Sequence, residues 1–186
     1  MRDRPYQIPK HTSVGIMGYG VLGQEAGKVL KKNGFEVIGY ANSSKIVEGI
    51  RVYGEKEQDE FLNNTQILVC LLPVTELTTG ILNLDLFRKL KNKAYLINVA
   101  RGEHLNEDDL LKAIDQDIIT GASLDVFREE PLPSSHRFWE HPQIQITPHI
   151  ASMTDPESVA NQLLDNYKRM KNGKALLNEV NTAKGY

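Results

Sequence analysis

The stretch SVGIMGYGVLGQEAGKVL, Ser13 to Leu30, decides the fold. It begins as a short apolar run of strand character, turns through glycines, and continues with apolar residues at helical spacing. Gly18, Gly20 and Gly23 stand as G-x-G-x-x-G at the turn. In such a loop the first glycine permits the tight turn, the second lets backbone approach a pyrophosphate, and the third allows close helix packing. The helix that follows offers N–H groups without intrahelical partners to an anion. The stretch therefore predicts a dinucleotide cradle built from Gly18, Gly20, Val21, Leu22 and Gly23. The plainer alternative is a glycine turn that binds nothing, and the strand-turn-helix setting argues against it.

Outward from this loop, short β-rich runs alternate with amphipathic segments, the pattern of parallel βαβ units. Strands are expected at Ser13 to Met17, Phe35 to Tyr40, Ile50 to Tyr53, Thr65 to Leu71, Ala94 to Val99, Ile119 to Leu124 and Gln143 to Ile146. Several are apolar on both faces, as a doubly covered sheet requires. The predicted fold class is α/β: a Rossmann-type, doubly wound parallel sheet in three α/β/α layers. Asn106 caps the helix EDDLLKAI, and Thr154 with Glu157 has capping-box spacing at the start of a long last helix. Val159, Leu163, Tyr167 and Met170 form one apolar stripe on that helix, and a stripe needs a partner.

Composition narrows the function classes. A chain of 186 residues, 40% of them hydrophobic, can bury a real core. The net charge of -2 and the scattered Lys and Arg give no basic stripe, which argues against nucleic acid and anionic membranes and favours small molecules. The single cysteine, Cys70, sits in the apolar run ILVCLL and reads as a buried, inert thiol. No apolar run is long enough to span a bilayer, the N-terminal residues lack a signal-peptide core, and a cytoplasmic protein is expected. No cluster has metal-ligand spacing, so no metal is expected.

The second strand of such folds carries an acidic residue when the cofactor is NAD. Here GYANSSK places Ala41 in that position, followed by Asn42, Ser43 and Lys45, which can hydrogen-bond and pair with a 2'-phosphate. The expected cofactor is NADP, with NAD the alternative if this is an unselective polar turn.

Ligands of open parallel sheets bind beyond the carboxyl ends of the strands. Arg101, Glu130 and His149 each fall just past such an end. A guanidinium grips a carboxylate and polarises the neighbouring carbonyl, an imidazolium supplies a proton, and a carboxylate orients the imidazole. Beside a nicotinamide these groups suit the reduction of a 2-keto acid. Singly, each also reads as an ordinary surface or turn residue. His104 and His141 are expected in turns or at the surface, and Trp139 in the core.

The motifs GYGVLG, INVARG, LDVFREEPLP and ITPHIAS, in this order, resemble the signature set of the D-isomer-specific 2-hydroxyacid dehydrogenases. LLPVTELTTGIL, FWEHP and KGY are most similar to the glyoxylate/hydroxypyruvate reductase A branch. The resemblance implies Arg101 as the substrate contact, His149 as the general acid/base and Glu130 as its partner. It implies that Asp125 meets the nicotinamide carboxamide, that Leu72, Pro73 and Thr78 line the adenosine and phosphate side, and that backbone near Val99 faces the nicotinamide. It also implies a homodimer formed through the cofactor domain, and a substrate domain placed before that domain. On that basis residues 1–12 are an interdomain remnant, 13–153 the dinucleotide-binding domain, and 154–186 a segment that returns to a substrate domain absent from the chain. Such a chain is expected to bind cofactor and to turn over poorly or not at all. The rival function is a non-catalytic dinucleotide-sensing module of the same fold.

Overall fold

The computed structural model describes residues 9–153 and 156–179. Strand β1 (Ser13–Met17) leads through the glycine loop into α1 (Val21–Lys32) and back into β2 (Glu36–Tyr40). A hairpin of β3 (Lys45–Val47) and β4 (Ile50–Tyr53) follows, then α2 (Gln58–Asn63), β5 (Ile67–Cys70), α3 (Leu84–Lys89) and β6 (Ala94–Asn98). The chain continues through α4 (Glu107–Asp115), β7 (Ile119–Leu124), β8 (Ile144–Ile146) and α5 (Pro156–Lys171). The strands form one sheet in the order β3-β4-β2-β1-β5-β6-β7-β8. All neighbours are parallel except β3 and β4. From β1 the chain first winds toward β2 and β4 and then returns to β5 on the other side, so the carboxyl end of β1 is the topological switch point.

Alternation along β1 divides the core between the two faces of the sheet. Val14 and Ile16 pack with Tyr19, Ile50 and Val52, against which Ala26 and Leu30 of α1 close. Met17 joins the larger opposite cluster, which α2, α3 and α4 cover with Phe61, Leu62, Leu86, Phe87, Leu110 and Ile114. Phe61 and Phe87 are inaccessible to solvent, and each such side chain contributes about 1.5–3 kcal/mol to stability. Cys70 is buried in this cluster, and burial pushes its thiol up to about 12, so it is protonated and inert at neutral pH. The three-layer doubly wound fold is thus observed.

Three expectations need correction. β3 was not expected; it is produced by a tight turn in which Glu48 and Gly49 both have positive φ, 50° and 72°. Glutamate is an unusual residue in that conformation, so the turn lacks the Asn-Gly or Asp-Gly signature. Trp139 is half exposed rather than in the core, its indole N–H donating to the Pro133 carbonyl at 2.9 Å. Phe138 takes the buried place beside it. His104 is fully buried, not at the surface.

On α5 the apolar stripe faces solvent: Leu163, Tyr167 and Met170 are more than half exposed. Asn166 makes reciprocal bonds with Leu177, folding residues 174–178 back along the helix. Thr154, expected to cap this helix, lies outside the described residues.

Candidate active site and cofactor cradle

The parallel strands all point their carboxyl ends to one edge, and every sequence-predicted site residue follows one of those ends or flanks the β2–β4 connection. Gly18 has φ of 105°, and a Cβ there would stand 2.6 Å from the Leu71 carbonyl carbon. Only glycine makes that approach. The amides of Gly18 and Tyr19 donate to the Tyr40 carbonyl at 3.1 and 2.9 Å, which fixes the loop to the end of β2. A Cβ on Gly23 would lie 2.4 Å from the Gly18 carbonyl oxygen, so the third glycine serves close packing of α1 on the loop. At Gly20 an added Cβ would meet nothing within 4 Å. The loop therefore opens outward at the N-terminus of α1, where Val21 and Leu22 are exposed. This cradle fits a pyrophosphate: a bare backbone, oriented amides and a helix dipole.

Beyond the end of β2, Asn42, Ser43 and Lys45 are exposed on the turn and on β3. Ala41 leaves the acidic position of the second strand empty, but a carboxylate from further along the chain stands near this turn. Glu57 reaches this turn and accepts hydrogen bonds from the Ser44 hydroxyl and, at 2.9 Å, from the Gly54 amide. The Gly54 amide, then Ser44 and Arg51, hold its carboxyl below the ordinary value despite the opposing effect of burial. No sequence spacing announced this contact, because Glu57 lies thirteen positions beyond Ser44. Leu72, Pro73 and Thr78 form the loop after β5, and the Thr78 hydroxyl is committed to the chain, donating to the Pro73 carbonyl at 2.7 Å. Val99 follows β6, with its amide 3.4 Å from the Cys70 carbonyl.

The chemistry-bearing groups converge at the ends of β6, β7 and β8. His149 Nδ1 lies 2.7 Å from Glu130 Oε2, and the other Glu130 oxygen accepts from the Phe127 amide at 2.8 Å. Burial works to raise the Glu130 carboxyl, but hydrogen bonds from His149 and Phe127 and the charges of His149 and Arg101 outweigh it and hold it below the ordinary value. Both side chains are open to solvent at the sheet edge. Arg101 is also exposed, its guanidinium donating to the Ala100 carbonyl at 2.6 Å. It influences Glu130 through space rather than by contact.

Asp125 is engaged within the chain. Its carboxylate, almost fully buried, accepts from the Thr147 hydroxyl, the Ile150 amide at 2.9 Å and the Ala151 amide at 2.9 Å, while its carbonyl accepts from the His149 amide at 2.9 Å. Burial tends to raise its carboxyl, and these three donors together with the charge of His149 bring it below the ordinary value. It clasps the loop that presents His149, whose φ of 52° is costly for a residue with a Cβ. Asn98 was overlooked. It is fully buried, accepts from the Ala100 amide at 3.2 Å and donates to the Arg101 carbonyl at 3.1 Å, shaping the turn that carries Arg101. The signal was present: an amide in an otherwise apolar strand needs a buried partner. His141 accepts from the Gln143 amide in a turn, as expected. Among the described residues no group of three or more His, Cys, Asp or Glu could hold a metal, and no helix is long and apolar enough to cross a membrane.

A phosphate cradle at the switch point, sharing its sheet edge with a histidine–carboxylate pair and an arginine, defines a dinucleotide-binding domain of the oxidoreductase type. Residues 2–151 match the family model "D-isomer specific 2-hydroxyacid dehydrogenase, NAD binding domain", and the chain belongs to that family. Among curated proteins it is 45% identical over 174 residues to glyoxylate/hydroxypyruvate reductase A of Photorhabdus laumondii, covering 93% of this chain and 56% of that one. With the protein of the same name from Yersinia enterocolitica it is 44% identical over 183 residues, covering 98% and 58%. Among solved structures it is similar to an NADPH-dependent glyoxylate/hydroxypyruvate reductase of Sinorhizobium meliloti in complex with NADP and sulfate. That match has a TM-score of 0.94 and 39% identity, and covers 100% of this chain and 60% of that one. A probable 2-hydroxyacid dehydrogenase of Rhizobium etli, in complex with NADP, HEPES and L(+)-tartaric acid, matches with a TM-score of 0.90 and 37% identity, covering 96% and 58%. The chain thus spans somewhat more than half the length of these relatives.

Proposed function

We propose that this chain is the cofactor-binding and proton-donating part of an NADPH-dependent reductase of small 2-keto acids such as glyoxylate and hydroxypyruvate. The observation that carries this is the Glu130–His149 pair, held at 2.7 Å on the same sheet edge as the glycine cradle. Gly18, Gly20, Val21, Leu22 and Gly23 would hold the cofactor, which would supply the hydride. Asn42, Ser43 and Lys45 face the 2'-phosphate, while Leu72, Pro73, Thr78 and Val99 border the cofactor along the neighbouring strand ends. Arg101 binds the keto acid's carboxylate and polarises its carbonyl. His149 donates the proton to the developing alkoxide, and Glu130 keeps the imidazole oriented for that transfer. Asp125 acts on the histidine loop, whatever it offers the carboxamide.

The relatives' greater length supports a substrate domain as the other wall of the cleft, with residues 154–186 packing toward it through the exposed stripe of α5. The proposal extends to a homodimer formed through the cofactor domain, which the family resemblance implies, and to a cytoplasmic setting. A sensing module of the same fold would need the cradle but not the histidine pair. The test is NADPH oxidation by the purified chain with glyoxylate and with hydroxypyruvate, alone and after addition of a separately expressed substrate domain from a relative. Reduction that depends on the added domain and disappears in His149→Ala supports the proposal. NADPH binding with no reduction in either case supports the sensing module instead.

A further inference from the structure

His104 lies outside the cofactor and catalytic groups named above, yet its ring stands between two of the loops that carry them. It is fully buried, with Nδ1 3.1 Å from the Arg101 carbonyl oxygen and Nε2 3.2 Å from the Pro73 carbonyl oxygen. Pro73 is thirty-one positions away and belongs to the loop after β5, whereas Arg101 follows β6. Both oxygens only accept, so a neutral ring donates to one of them, and only a ring protonated on both nitrogens donates to both.

The fold of the turn does not need this ring. Residues 103–106 are already tied to residues 80–82 by backbone bonds: Gly80 to Glu103 at 2.9 Å, Leu82 to His104 at 2.9 Å and Asn106 to Leu82 at 3.0 Å. Leu82 and Leu105 also form a parallel bridge, and both are buried in the core. An apolar side chain of similar volume would suit that core and avoid the cost of burying a polar ring. What a donor at Nε2 adds is a tie from the Arg101 turn, on which His104 sits, to the Pro73 carbonyl. The other donors to these two carbonyls are local, Thr78 for Pro73, and Asn98 and the His104 amide for Arg101, and none of them crosses between the loops.

We propose that His104 is a positioning residue that fixes the spacing between the Leu72–Thr78 loop and the Arg101 turn, so that cofactor and substrate contacts are presented in one register. The inference rests on the proposed cofactor role of that loop. Its test is NADPH titration by fluorescence of the parent chain, His104→Leu and His104→Gln, with thermal unfolding of each without cofactor.

His104→Leu is expected to melt cooperatively near the parent and to weaken NADPH on the order of tenfold, the equivalent of about one oriented hydrogen bond. His104→Gln, which keeps an N–H donor, is expected to recover part of that loss. Parent-like affinity in His104→Leu, or equal weakening in both variants, would overturn the proposal. Failure of the parent itself to bind NADPH would remove the cofactor reading beneath it as well. Should His104→Leu not fold, proton–nitrogen NMR of the parent decides: a His104 ring N–H protected from solvent exchange supports the tether, and one exchanging as fast as that of exposed His149 contradicts it.

Discussion

His149 and Glu130, nineteen positions apart, meet at 2.7 Å because Asp125 anchors one end of their loop system and the Phe127 amide the other. The pair is open to solvent, so its electrostatic contribution to folding is small, and its geometry matters for proton transfer instead.

If the chain acts as proposed, with a substrate domain supplied, His149→Ala is expected to lower kcat for keto-acid reduction by about 100- to 10,000-fold, the usual contribution of a general acid. Glu130→Gln removes the anion that orients the ring, and kcat is expected to fall, though by less than in His149→Ala. Steady-state rates measure both, and a parent-like kcat in Glu130→Gln would argue against the orienting carboxylate.

Asp125→Asn places an amide nitrogen among buried donors. One of its contacts with the Thr147 hydroxyl or the Ile150 and Ala151 amides becomes donor against donor. The expected cost is about 1–3 kcal/mol, or roughly 2–12 °C in Tm by calorimetry.

Stability should also follow pH in a specific sense. Asp125 and Glu130 are held below their ordinary carboxylate values in the folded chain. Their contribution is therefore fully present above the unfolded-state range, near pH 4, and is lost as pH falls through the lowered folded values. Denaturant midpoints are expected to be insensitive to these two groups above about pH 5 and to decline below about pH 4. Asp125, the more buried of the two, carries most of the effect, so the decline is expected to be shallower in Asp125→Asn.

Lys45→Ala is expected to weaken NADPH several-fold while leaving NADH nearly unchanged, because an exposed ammonium acts on the added phosphate alone. Titration of both cofactors at low and physiological salt checks this. Equal weakening of the two would place Lys45 elsewhere on the cofactor or on no part of it.

The glycine loop, the order of the strands along the chain and the Arg101–Glu130–His149 set were legible in the sequence because each rests on local chemistry. A G-x-G-x-x-G must follow a strand, apolar runs mark doubly covered strands, and polar groups placed just after such runs reach the ligand edge. The remainder depended on contacts between distant segments. Glu57 meets Ser44 only because β3 and β4 fold back beside β2, through a turn that uses Glu48 where asparagine would have announced it. Asp125 is in the expected motif, but that its carboxylate closes on residues 147–151 is set by the parallel pairing of β7 and β8. His104 resembled any turn histidine, since nothing near it in sequence shows that the loop after β5 covers it.

Gly20→Ala tests most directly whether the loop at the end of β1 binds the cofactor. A Cβ there touches nothing in the chain, so folding is expected to be unaffected while the space in front of the α1 N-terminus is filled. Fluorescence titration with NADPH is predicted to show saturable binding to the parent and a loss of at least tenfold in Gly20→Ala at parent-like Tm. No binding to the folded parent, or equal affinity in the two, would contradict the account.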